Sequence, residues 1–596
     1  MTRQATMGLG AMLLFIGSAA QAQTIYPINR AEILTGAKFD LKVEFPGAPS
    51  ASALRVTING KDAATVIGKS ASVMEREDGG DHSAYWIRDA ALTKPGRYLV
   101  EAATGQQKAS VVWEVFDTPA AKAKNVILFI GDGMTITHRT AARILSKGLV
   151  EGRYGGELAM DDMPHMALVS TSGTDSVVTD SANSMSAYTT GHKSCNNALG
   201  VYCALNKNNL QHPRVETISE IAKRTRRLAV GVVTTTEIED ATPAGMVAHT
   251  RKREDYDDIV KMFFAVQPEV MMGGGSVNFL PTSAPGGKRA DGEDYIKKFQ
   301  ASGYTVVSSK SELETAGKAQ KLLGLFNTGN IDGALDRFFL KKGTVPQFPD
   351  QPDLTDQVRV ALDMLSRHDQ GFVLMVESGR IDKYTHSLDW ERAVYDTIML
   401  DNAVKMAKEF AAARNDTLII VVADHAHMTG LIGTYDDSRP GQQLRDKLGL
   451  GDNSKVPNYP APNAAGYPDR VDVSRRLAFV FGGFPDYCDT GHPYLDGENV
   501  PAVRGPNRDY VANEKYCSVP GAARRTGNLP FSSGAGVHAA DEVVLTAIGP
   551  GAELFRGRID NTRVFRNMAT ALGLGRNQSM IPKTGKKIMR KTKVRL

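Results

Sequence analysis

The chain has 596 residues, of which 42% are hydrophobic and 23% charged, an ordinary globular composition with room for two or more domains and a large buried core. The net charge is only +5, and the aromatic residues, 7% of the chain, do not alternate with basic runs. The composition therefore argues against a dedicated nucleic-acid-binding surface.

The first 22 residues have the layout of a cleaved secretory signal peptide. Arg3 precedes a short apolar stretch, and small residues flank Gln21 at the expected cleavage site. The apolar stretch is shorter than the ~20 residues that a bilayer-spanning helix needs, which argues against the alternative of a membrane anchor. We therefore expect a mature chain that begins at Gln23, is exported to the periplasm or secreted, and has no transmembrane anchor.

Four cysteines accompany this signal, and export would expose them to an oxidising compartment. They can be joined into two disulfides in three ways. The two sequence-local disulfides, Cys195 with Cys203 and Cys488 with Cys517, would close short loops. A thiolate metal site is the alternative, but the chain has no Cys-x-x-Cys spacing. We expect the two local disulfides.

Residues 24–117 alternate apolar and polar side chains in short runs such as FDLKVEF, RYLVEA and SVVWEVF, separated by Gly, Pro, Asn and Ser. Alternation with a period of two is typical of strands with one buried face. A succession of such strands predicts a small immunoglobulin-like β-sandwich domain. We expect the following TPAAKAK to be a linker.

From Asn125 the pattern changes to solid apolar runs, NVILFIG, LAVGVVTTT, FVLMVES, LIIVVAD and VVLTAIG, with amphipathic helical segments between them. Continuous apolar strands that alternate with helices predict an α/β fold, in which helices sandwich a mostly parallel central sheet. We expect this fold over residues 125–575. In such folds the functional residues usually lie where strands end.

Two segments depart from this pattern. Residues 430–533 are rich in Gly, Pro, Asn, Asp and Arg and contain Cys488 and Cys517, which predicts a long insertion that caps the site. Residues 576–596 carry only positive charges. We expect a solvated, disordered end there, with an anchor to an anionic surface as the alternative.

Acidic and histidine side chains stand where the apolar runs end, and such groups are costly beside buried strands unless they are paired or coordinated. Asp382 and His386 are four residues apart, so a helix would place both on one face, a spacing suited to chelating a metal ion. One such residue alone would be an ordinary cap or core hydrogen bond. Together they supply enough nitrogen and oxygen ligands for two zinc-like ions and a harder cation such as Mg²⁺. The full set is Asp132, Glu377, Asp382, His386, Asp424, His425, His427 and His538.

Six segments in order carry a resemblance to a known family. They are NVILFIGDGM, VTDSANSMSAYTTG, EDATPAGMVAHTRKR, VESGRIDKYTH, VVADHAHM and GVHAADE. Together they resemble the serine-nucleophile, zinc- and magnesium-dependent alkaline phosphatases of the bacterial type, from about Asn125 to about Gly575. The resemblance implies an exported phosphomonoesterase with two Zn²⁺ and one Mg²⁺ on a helix-sandwiched sheet, and family members are often homodimers.

The resemblance also implies a role for each site residue. Ser181 would be the nucleophile, with Asp180 beside it to orient the phosphate-binding arginine. His427 would support a zinc ligand by hydrogen bonding. Asp240 and Lys383 match the bacterial pattern, in which this pair flanks the magnesium and reaches the phosphate through water. The implied ligands are Asp382, His386 and His538 for the first zinc, Asp424, His425 and Asp132 for the second, and Asp132, Thr242 and Glu377 for magnesium.

Two arginines are candidates for the phosphate-binding residue. In TPAGMVAHTRKR the family's arginine falls eleven residues after Thr242, on Arg253, whereas Arg251 is two residues earlier. We therefore expect Arg253 to bind the phosphate, because a planar guanidinium can bond two phosphate oxygens at once.

The residue types fit this chemistry. A serine hydroxyl is a weak nucleophile, but a bound Zn²⁺ lowers the pKa of an oxygen that it coordinates. Ser181 at the start of a helix would also direct backbone N–H groups at an incoming phosphate. Taken alone, VTDSANSMSAYTTG predicts as readily a capped helix with a small-residue packing face and Asp180 as its N-cap.

Two alternatives stay open from the sequence. A phosphodiesterase, a sulfatase or a phosphomutase could use the same two-metal scaffold. A surface-binding protein could instead act through the N-terminal sandwich, although every ligand position of the larger region is filled. We expect small phosphate monoesters as substrates and no dedicated nucleic-acid partner.

Overall fold

The computed structural model describes residues 23–438, 448–449, 451 and 454–575. The expected signal peptide and basic tail lie outside the described residues, as do some residues of the expected insertion. Within the described residues, no helix combines the length and the apolar character needed to cross a bilayer.

The N-terminal part is built from nine strands in two sheets. Leu41 and Val43 from one sheet pack with Val100 and Trp113 from the other in a single core, as the alternating pattern predicts. The first sheet has the spatial order Thr24–Tyr26, Phe39–Pro46, His82–Ala90 and Ser72–Met74. The second has the order Glu32–Leu34, Gln107–Phe116, Gly96–Thr104, Arg55–Ile58 and Lys61–Asp62.

The strand Phe39–Pro46 is buried on both of its faces. Its apolar side chains face the core of the N-terminal part, and the alternate residues Asp40, Lys42 and Glu44 are buried as well. These polar side chains contact residues 202–216 of the larger part. The outer face of this strand is therefore a contact between the two parts of the chain.

A ten-stranded sheet forms the centre of the larger part. Neighbouring strands are parallel except for Val543–Ile548, which is antiparallel to both of its neighbours. The predicted mostly parallel sheet is confirmed. Its strands are apolar because helices cover the sheet. The spatial order is Thr305–Val307, Leu322–Leu325, Val270–Gly274, Ala229–Glu237, Phe372–Ser378, Asn125–Gly131, Thr417–Val422, Val543–Ile548, His165–Ser170 and Gly557–Asp560.

Helices connect these strands. The longest of those described, Trp390–Ala412, packs on the strands Phe372–Ser378 and Thr417–Val422, and residues 390–401 are all buried. The other helices of this part are Ile136–Lys147, Ser181–Thr190, Ile218–Arg226, Ala241–Ala244, Tyr256–Val266, Tyr295–Ala301, Lys310–Thr315, Leu354–Leu365, Arg380–His386 and Thr562–Leu572. A short helix, Ala63–Ile67, belongs to the N-terminal part.

In the described residues between the central strands Thr417–Val422 and Val543–Ile548, the strands form small two-stranded ladders rather than further strands of the main sheet. The Cys488–Cys517 disulfide, with a Cα–Cα distance of 5.1 Å, joins one ladder to the helix Glu514–Cys517. The ladders pair Thr429–Asp436 with Arg475–Phe481, Tyr487–Asp489 with Ala523–Arg525, Ala502–Arg504 with Tyr510–Ala512, and Ala426–His427 with His538–Ala539. Elsewhere, Leu149–Val150 pairs with Arg153–Tyr154.

The second disulfide joins Cys195 to Cys203, with a Cα–Cα distance of 6.2 Å. The structure thus contains both local disulfides, which together are one of the three possible ways to pair four cysteines. All four cysteines are bonded.

Candidate active site

The site residues converge at one edge of the central sheet. Asn125–Gly131 lies between Phe372–Ser378 and Thr417–Val422, and all three strands are parallel. Their carboxyl ends therefore meet, and they bring Asp132 and Asp424 beside Glu377. Residues far apart in the chain become neighbours because the strand order places the strands that precede them side by side.

One cluster combines a carboxylate with two imidazoles. The helix Arg380–His386 places Asp382 and His386 on one face, as their spacing predicts, with His386 Nε2 3.3 Å from Asp382 Oδ1. His538 arrives from a short strand that pairs with Ala426–His427. Its Nε2 lies 3.1 Å from His386 Nε2 and 3.5 Å from Asp382 Oδ1.

The Nδ1 atoms of these two histidines face backbone carbonyls. His386 Nδ1 lies 2.6 Å from the carbonyl oxygen of Gly536, and His538 Nδ1 lies 2.8 Å from that of Thr179. A carbonyl only accepts hydrogen bonds, so each Nδ1 carries a proton and each Nε2 directs its lone pair into the cluster. This orientation is typical of metal-binding histidines.

A second cluster surrounds His425. Its Nε2 lies 3.3 Å from Asp132 Oδ1, 3.3 Å from Asp424 Oδ2 and 3.3 Å from the hydroxyl oxygen of Ser181. Burial, reinforced by the neighbouring Asp424 carboxylate, raises the pKa of Asp132 well above its usual value. Burial lowers the pKa of His425, so the imidazole is neutral and can offer its lone pair.

Both clusters fit a divalent metal ion. Zinc bound at ~2.0–2.1 Å by four tetrahedral ligands has ligand–ligand distances about 1.6 times longer, close to 3.3 Å. The measured separations match this value. In addition, Asp132 Oδ1 and Asp424 Oδ2 are buried without a hydrogen-bond partner in the described part of the chain. Buried orphan oxygens are costly unless they coordinate a cation.

A third set offers oxygen atoms alone. Glu377 accepts hydrogen bonds from the hydroxyls of Thr234 and Thr236, and burial raises its pKa to about 7. The hydroxyl oxygen of Thr242 is buried and has no hydrogen-bond partner among the residues described. With Asp132, these oxygens are the kind of ligands that Mg²⁺ prefers.

Arg253 and Lys383 carry positive charge to the same edge of the sheet. The guanidinium of Arg253 lies 2.7 Å from Asp240 Oδ1 and 3.5 Å from Asp180 Oδ2, and Lys383 Nζ lies 3.0 Å from Asp240 Oδ2. Burial opposes ionisation of Asp240, but the two cations lower its pKa below the usual range. Arg251 points elsewhere, because its guanidinium donates to the backbone carbonyl of Asn196.

Ser181 is the first residue of the helix Ser181–Thr190. Asp180 is its N-cap and accepts the backbone N–H of Asn183, whose side chain accepts the N–H of Asp180 in return. All residues of this helix are buried. Its Ser184 and Tyr188 hydroxyls donate to the backbone carbonyls of Asp424 and Ala423, so the helix is tied directly to the second cluster.

His427 lies behind the first cluster. Its Nε2 is 2.6 Å from Asp382 Oδ1, and its Nδ1 is 3.1 Å from the carbonyl oxygen of Val537. The imidazole therefore contacts the Asp382 carboxylate and is close enough to His386 and His538 to be a further candidate ligand, so its supporting role stays a prediction.

Several supporting residues could not be identified from the sequence. Thr234 and Thr236, which hold Glu377, are visible in the sequence only as a run of hydroxyl residues that ends an apolar strand. Asn197 gave no signal at all, yet its backbone N–H donates to Asp180 Oδ2 at 2.9 Å.

The edge thus combines a serine at a helix N-terminus, two clusters whose side chains could bind cations and a partly buried arginine. A helix N-terminus and a guanidinium are both suited to a phosphoryl group, and metal ions stabilise the charge that develops during its transfer. Fold and site together define an α/β enzyme of phosphoryl transfer.

Comparisons with known proteins agree with this class. Residues 123–574 match the family model described as Alkaline phosphatase. The alkaline phosphatase of Escherichia coli (strain K12) is 34% identical over 400 residues, which cover 60% of this chain and 81% of that protein. That of Gadus morhua is 31% identical over 496 residues, covering 77% of this chain and 93% of that protein.

Among solved structures, the crystal structure of Thermus thermophilus alkaline phosphatase superposes with a TM-score of 0.55 at 26% identity, covering 77% of this chain and 93% of that one. The chain belongs to the alkaline phosphatase family, and it is a phosphatase. The N-terminal part, up to Phe116, lies outside the matched residues 123–574.

Proposed function

We propose that the chain is an exported, metal-dependent phosphomonoesterase that cleaves small phosphate monoesters through a phosphoserine at Ser181. The observation that carries this proposal is the position of the Ser181 hydroxyl. Its oxygen lies as far from His425 Nε2 as Asp132 and Asp424 do, so that it completes a four-membered ligand set with the helix N-terminus behind it.

The binding of substrate follows from the charges at the edge of the sheet. Arg253 is held between Asp180 and Asp240, so its planar guanidinium is oriented before a phosphate arrives. The backbone N–H groups at the start of the Ser181–Thr190 helix point at the same phosphoryl group. Lys383 is positioned by Asp240 to reach the phosphate through water.

In the proposed reaction, Ser181 Oγ attacks phosphorus while the bond to the ester oxygen breaks. The serine hydroxyl loses its proton to solvent and the departing oxygen takes up a proton from solvent, so that the alcohol leaves and a phosphoserine is formed. Water then attacks from the opposite side, which releases inorganic phosphate and restores the hydroxyl. Two inversions give net retention at phosphorus. Two Zn²⁺ and one Mg²⁺ in the clusters would lower the pKa of the serine hydroxyl and stabilise the charge on the departing oxygen.

The proposed zinc ligands are Asp382, His386 and His538 for the first ion and Asp132, Asp424 and His425 for the second. Asp132, Thr242 and Glu377 would hold magnesium. The imidazole and carboxylate donors suit zinc, and the all-oxygen set suits magnesium.

Export to the periplasm or beyond the cell is part of the proposal. The two disulfides support it, because such bonds persist in oxidising compartments. Cell fractionation followed by mass spectrometry of the mature N-terminus tests the expected start at Gln23. A homodimer stays a prediction, to be tested by light scattering of the purified protein.

The deciding experiment compares hydrolysis of a chromogenic phosphate monoester with that of the matching diester and sulfate ester at alkaline pH. The protein is assayed as purified, after chelation, and after Zn²⁺ and Mg²⁺ are restored. We expect fast, metal-dependent cleavage of the monoester alone. A preference for the diester or the sulfate would refute the proposed reaction, and no activity in the metal-loaded protein would favour a binding role.

A further inference from the structure

The phosphate-binding residues and the N-terminal part are joined by one continuous segment. Residues 195–201, which the Cys195–Cys203 disulfide closes, lie beside Asp180 and Arg253. Asn197 donates its N–H to Asp180 Oδ2 at 2.9 Å, and its carbonyl accepts the backbone N–H of Arg253 at 2.8 Å. Residues 202–216, here called the bridging segment, continue from this loop to the N-terminal part.

The N-terminal part holds the start of the bridging segment with polar contacts. The hydroxyl of Tyr26 donates to the carbonyl of Cys203 at 2.9 Å. Glu44 Oε1 accepts the N–H of Leu205 at 2.8 Å, and Asp78 Oδ2 accepts the N–H of Lys207 at 3.0 Å.

Further contacts hold the end of the bridging segment. The N–H of Asp40 donates to the carbonyl of Arg214 at 2.8 Å, and Asp40 Oδ2 accepts the N–H of Arg214 at 3.2 Å. The backbones of Phe39 and Val215 form a β-bridge. The N-terminal part therefore holds the bridging segment at both ends.

A buried ionic cluster lies at the centre of this contact. Lys42 Nζ lies 2.8 Å from Glu44 Oε1, 2.8 Å from Glu77 Oε2 and 2.5 Å from Asn206 Oδ1. Glu44, Glu77 and His82 are close enough together to hold a metal ion. The Lys42 ammonium, however, already contacts both carboxylates and offsets one of their two negative charges. The cluster therefore fixes the bridging segment, with Asn206 as one of its members.

We propose that the N-terminal part positions the phosphate-binding pair Asp180 and Arg253 through residues 195–216, with Lys42 and Glu44 as positioning residues. The inference rests on the proposed function, because it concerns the same phosphate site. Loss of the Glu44 carboxylate leaves the Leu205 N–H and part of the Lys42 charge without a partner, which loosens the segment that carries Asn197. Asp132, Asp382, His386, Asp424 and His425 come from elements outside residues 180–216 and keep their places.

The test uses the full-length, metal-loaded chain and inorganic phosphate as the probe. Glu44→Ala removes the buried acceptor. Asp78→Gly is the milder variant, because Asp78 is exposed and its φ of 54° is a conformation that glycine adopts freely. The control is Asp62→Ala, since Asp62 is an exposed residue of the same part that caps the helix Ala63–Ile67 through Thr65.

Isothermal titration calorimetry measures the phosphate Kd, and hydrogen exchange reports on residues 195–216. We expect the Kd to rise about threefold to tenfold in Glu44→Ala and less in Asp78→Gly, within the range found for coupling through contiguous contacts. KM for a monoester should rise in step while kcat changes less than about twofold. Exchange should accelerate at residues 195–216, the metal content should stay the same, and Asp62→Ala should match the parent.

The outcomes separate the two proposals. If the parent binds phosphate and both variants bind it equally well, the positioning role is wrong and the proposed function stands. If the Kd rises only together with a loss of metal, the N-terminal part has a general structural role, and the inference is again overturned. If the parent neither binds phosphate nor cleaves monoesters, the proposed function is refuted, and the inference with it.

Discussion

Ser181 and Ser184 lie in the same helix but have different hydrogen-bonding partners. The Ser181 hydroxyl lies 3.3 Å from His425 Nε2, within the second cluster. The Ser184 hydroxyl, one turn further along, donates to the backbone carbonyl of Asp424 and is committed to holding the helix in place. Both side chains are buried, so exposure does not distinguish them. The two side chains differ in the atoms that their hydroxyls contact.

Ser181→Ala is therefore expected to abolish the phosphoenzyme and to lower turnover at least about a thousandfold, because no other group is placed to take over the nucleophilic attack. Acid-quenched protein analysed by mass spectrometry reports the phosphoserine, and elemental analysis should find unchanged metal content. Ser184→Ala is the matched control and should still form the phosphoenzyme. A Ser181→Ala protein that retains the parent rate would refute the assignment.

Arg253 and Arg251 allow a similar comparison. Arg253 lies between Asp180 and Asp240, whereas Arg251 donates to the carbonyl of Asn196. Arg253→Ala should weaken inhibition by inorganic phosphate at least about tenfold more than Arg251→Ala, because it removes a charge-assisted bidentate contact. Competitive inhibition constants measure the effect. A greater loss of phosphate inhibition in Arg251→Ala than in Arg253→Ala would show that Arg251 binds the phosphate.

At the scale of elements, the helix Arg380–His386 depends on a loop that precedes His538 in the chain by about forty residues. Glu498 accepts hydrogen bonds from the Ser387 hydroxyl at 2.6 Å and from Arg380 at 3.1 Å. Asn499 donates to the carbonyl of Ser387 at 2.7 Å. The loop thus contacts both ends of the helix Arg380–His386, which contains Asp382.

Glu498→Ala should let this helix move and so weaken metal binding in the first cluster by about twofold to fivefold, because Glu498 is exposed and contacts Arg380 and Ser387 rather than a candidate ligand. Competition with a zinc-binding dye measures the affinity. Glu514→Ala serves as the control, because Glu514 is an exposed residue of the same region that pairs with Arg524. Equal zinc affinity in Glu498→Ala and the parent would show that the loop does not support the cluster.

The long helix Trp390–Ala412 contains a pH-sensitive carboxyl. Burial and the nearby Asp389 carboxylate raise the pKa of Glu391 to about 8. The unfolded chain ionises this group near its ordinary pKa of 4.5, so the folded state loses stability as the pH rises between 4.5 and 8. The loss is absent below this window and complete above it.

Glu391→Gln removes the carboxyl and with it the loss of stability of the folded state at rising pH. Its melting temperature relative to the parent should therefore increase by about 2–4 °C between pH 5 and pH 9, at constant metal concentration. Differential scanning calorimetry measures the change. Glu409→Gln, an exposed position on the same helix, should show no such trend. A constant difference between Glu391→Gln and the parent across the pH range would contradict the raised pKa.

At the scale of the whole molecule, the two carboxylate–imidazole clusters join elements that are distant in the chain. Asp132 and His538 stand at opposite ends of the catalytic region, and Asp382 and Asp424 lie between them. Metal ions that bind these groups only in the folded state would stabilise the fold as a whole.

Chelation should therefore lower the melting temperature by several degrees, and restored Zn²⁺ and Mg²⁺ should recover it. Calorimetry with and without chelator measures the shift. Asp382→Asn, which removes a candidate ligand of the first cluster, is the comparison variant, and its melting temperature should fall less on chelation than that of the parent. An unchanged melting temperature after verified metal removal would contradict this role.

Much of this organisation follows from the sequence because it depends on local patterns. Solid apolar runs predicted the parallel sheet, and alternating runs predicted the all-β part. The four-residue spacing of Asp382 and His386 predicted a shared helix face. These inferences succeed because burial imposes a period on each element before any tertiary contact forms.

Tertiary structure decided what depends on contacts between distant segments. The alternation around Lys42 and Glu44 places these residues on an outer strand face, but only the docked bridging segment buries that face. The role of Asn197 is invisible in the sequence because its backbone, not its side chain, meets Asp180 and Arg253. By itself the sequence determined the elements and the types of candidate ligand. Only the fold decided which of them meet, because a distance between remote residues is set by strand order and packing rather than by local pattern.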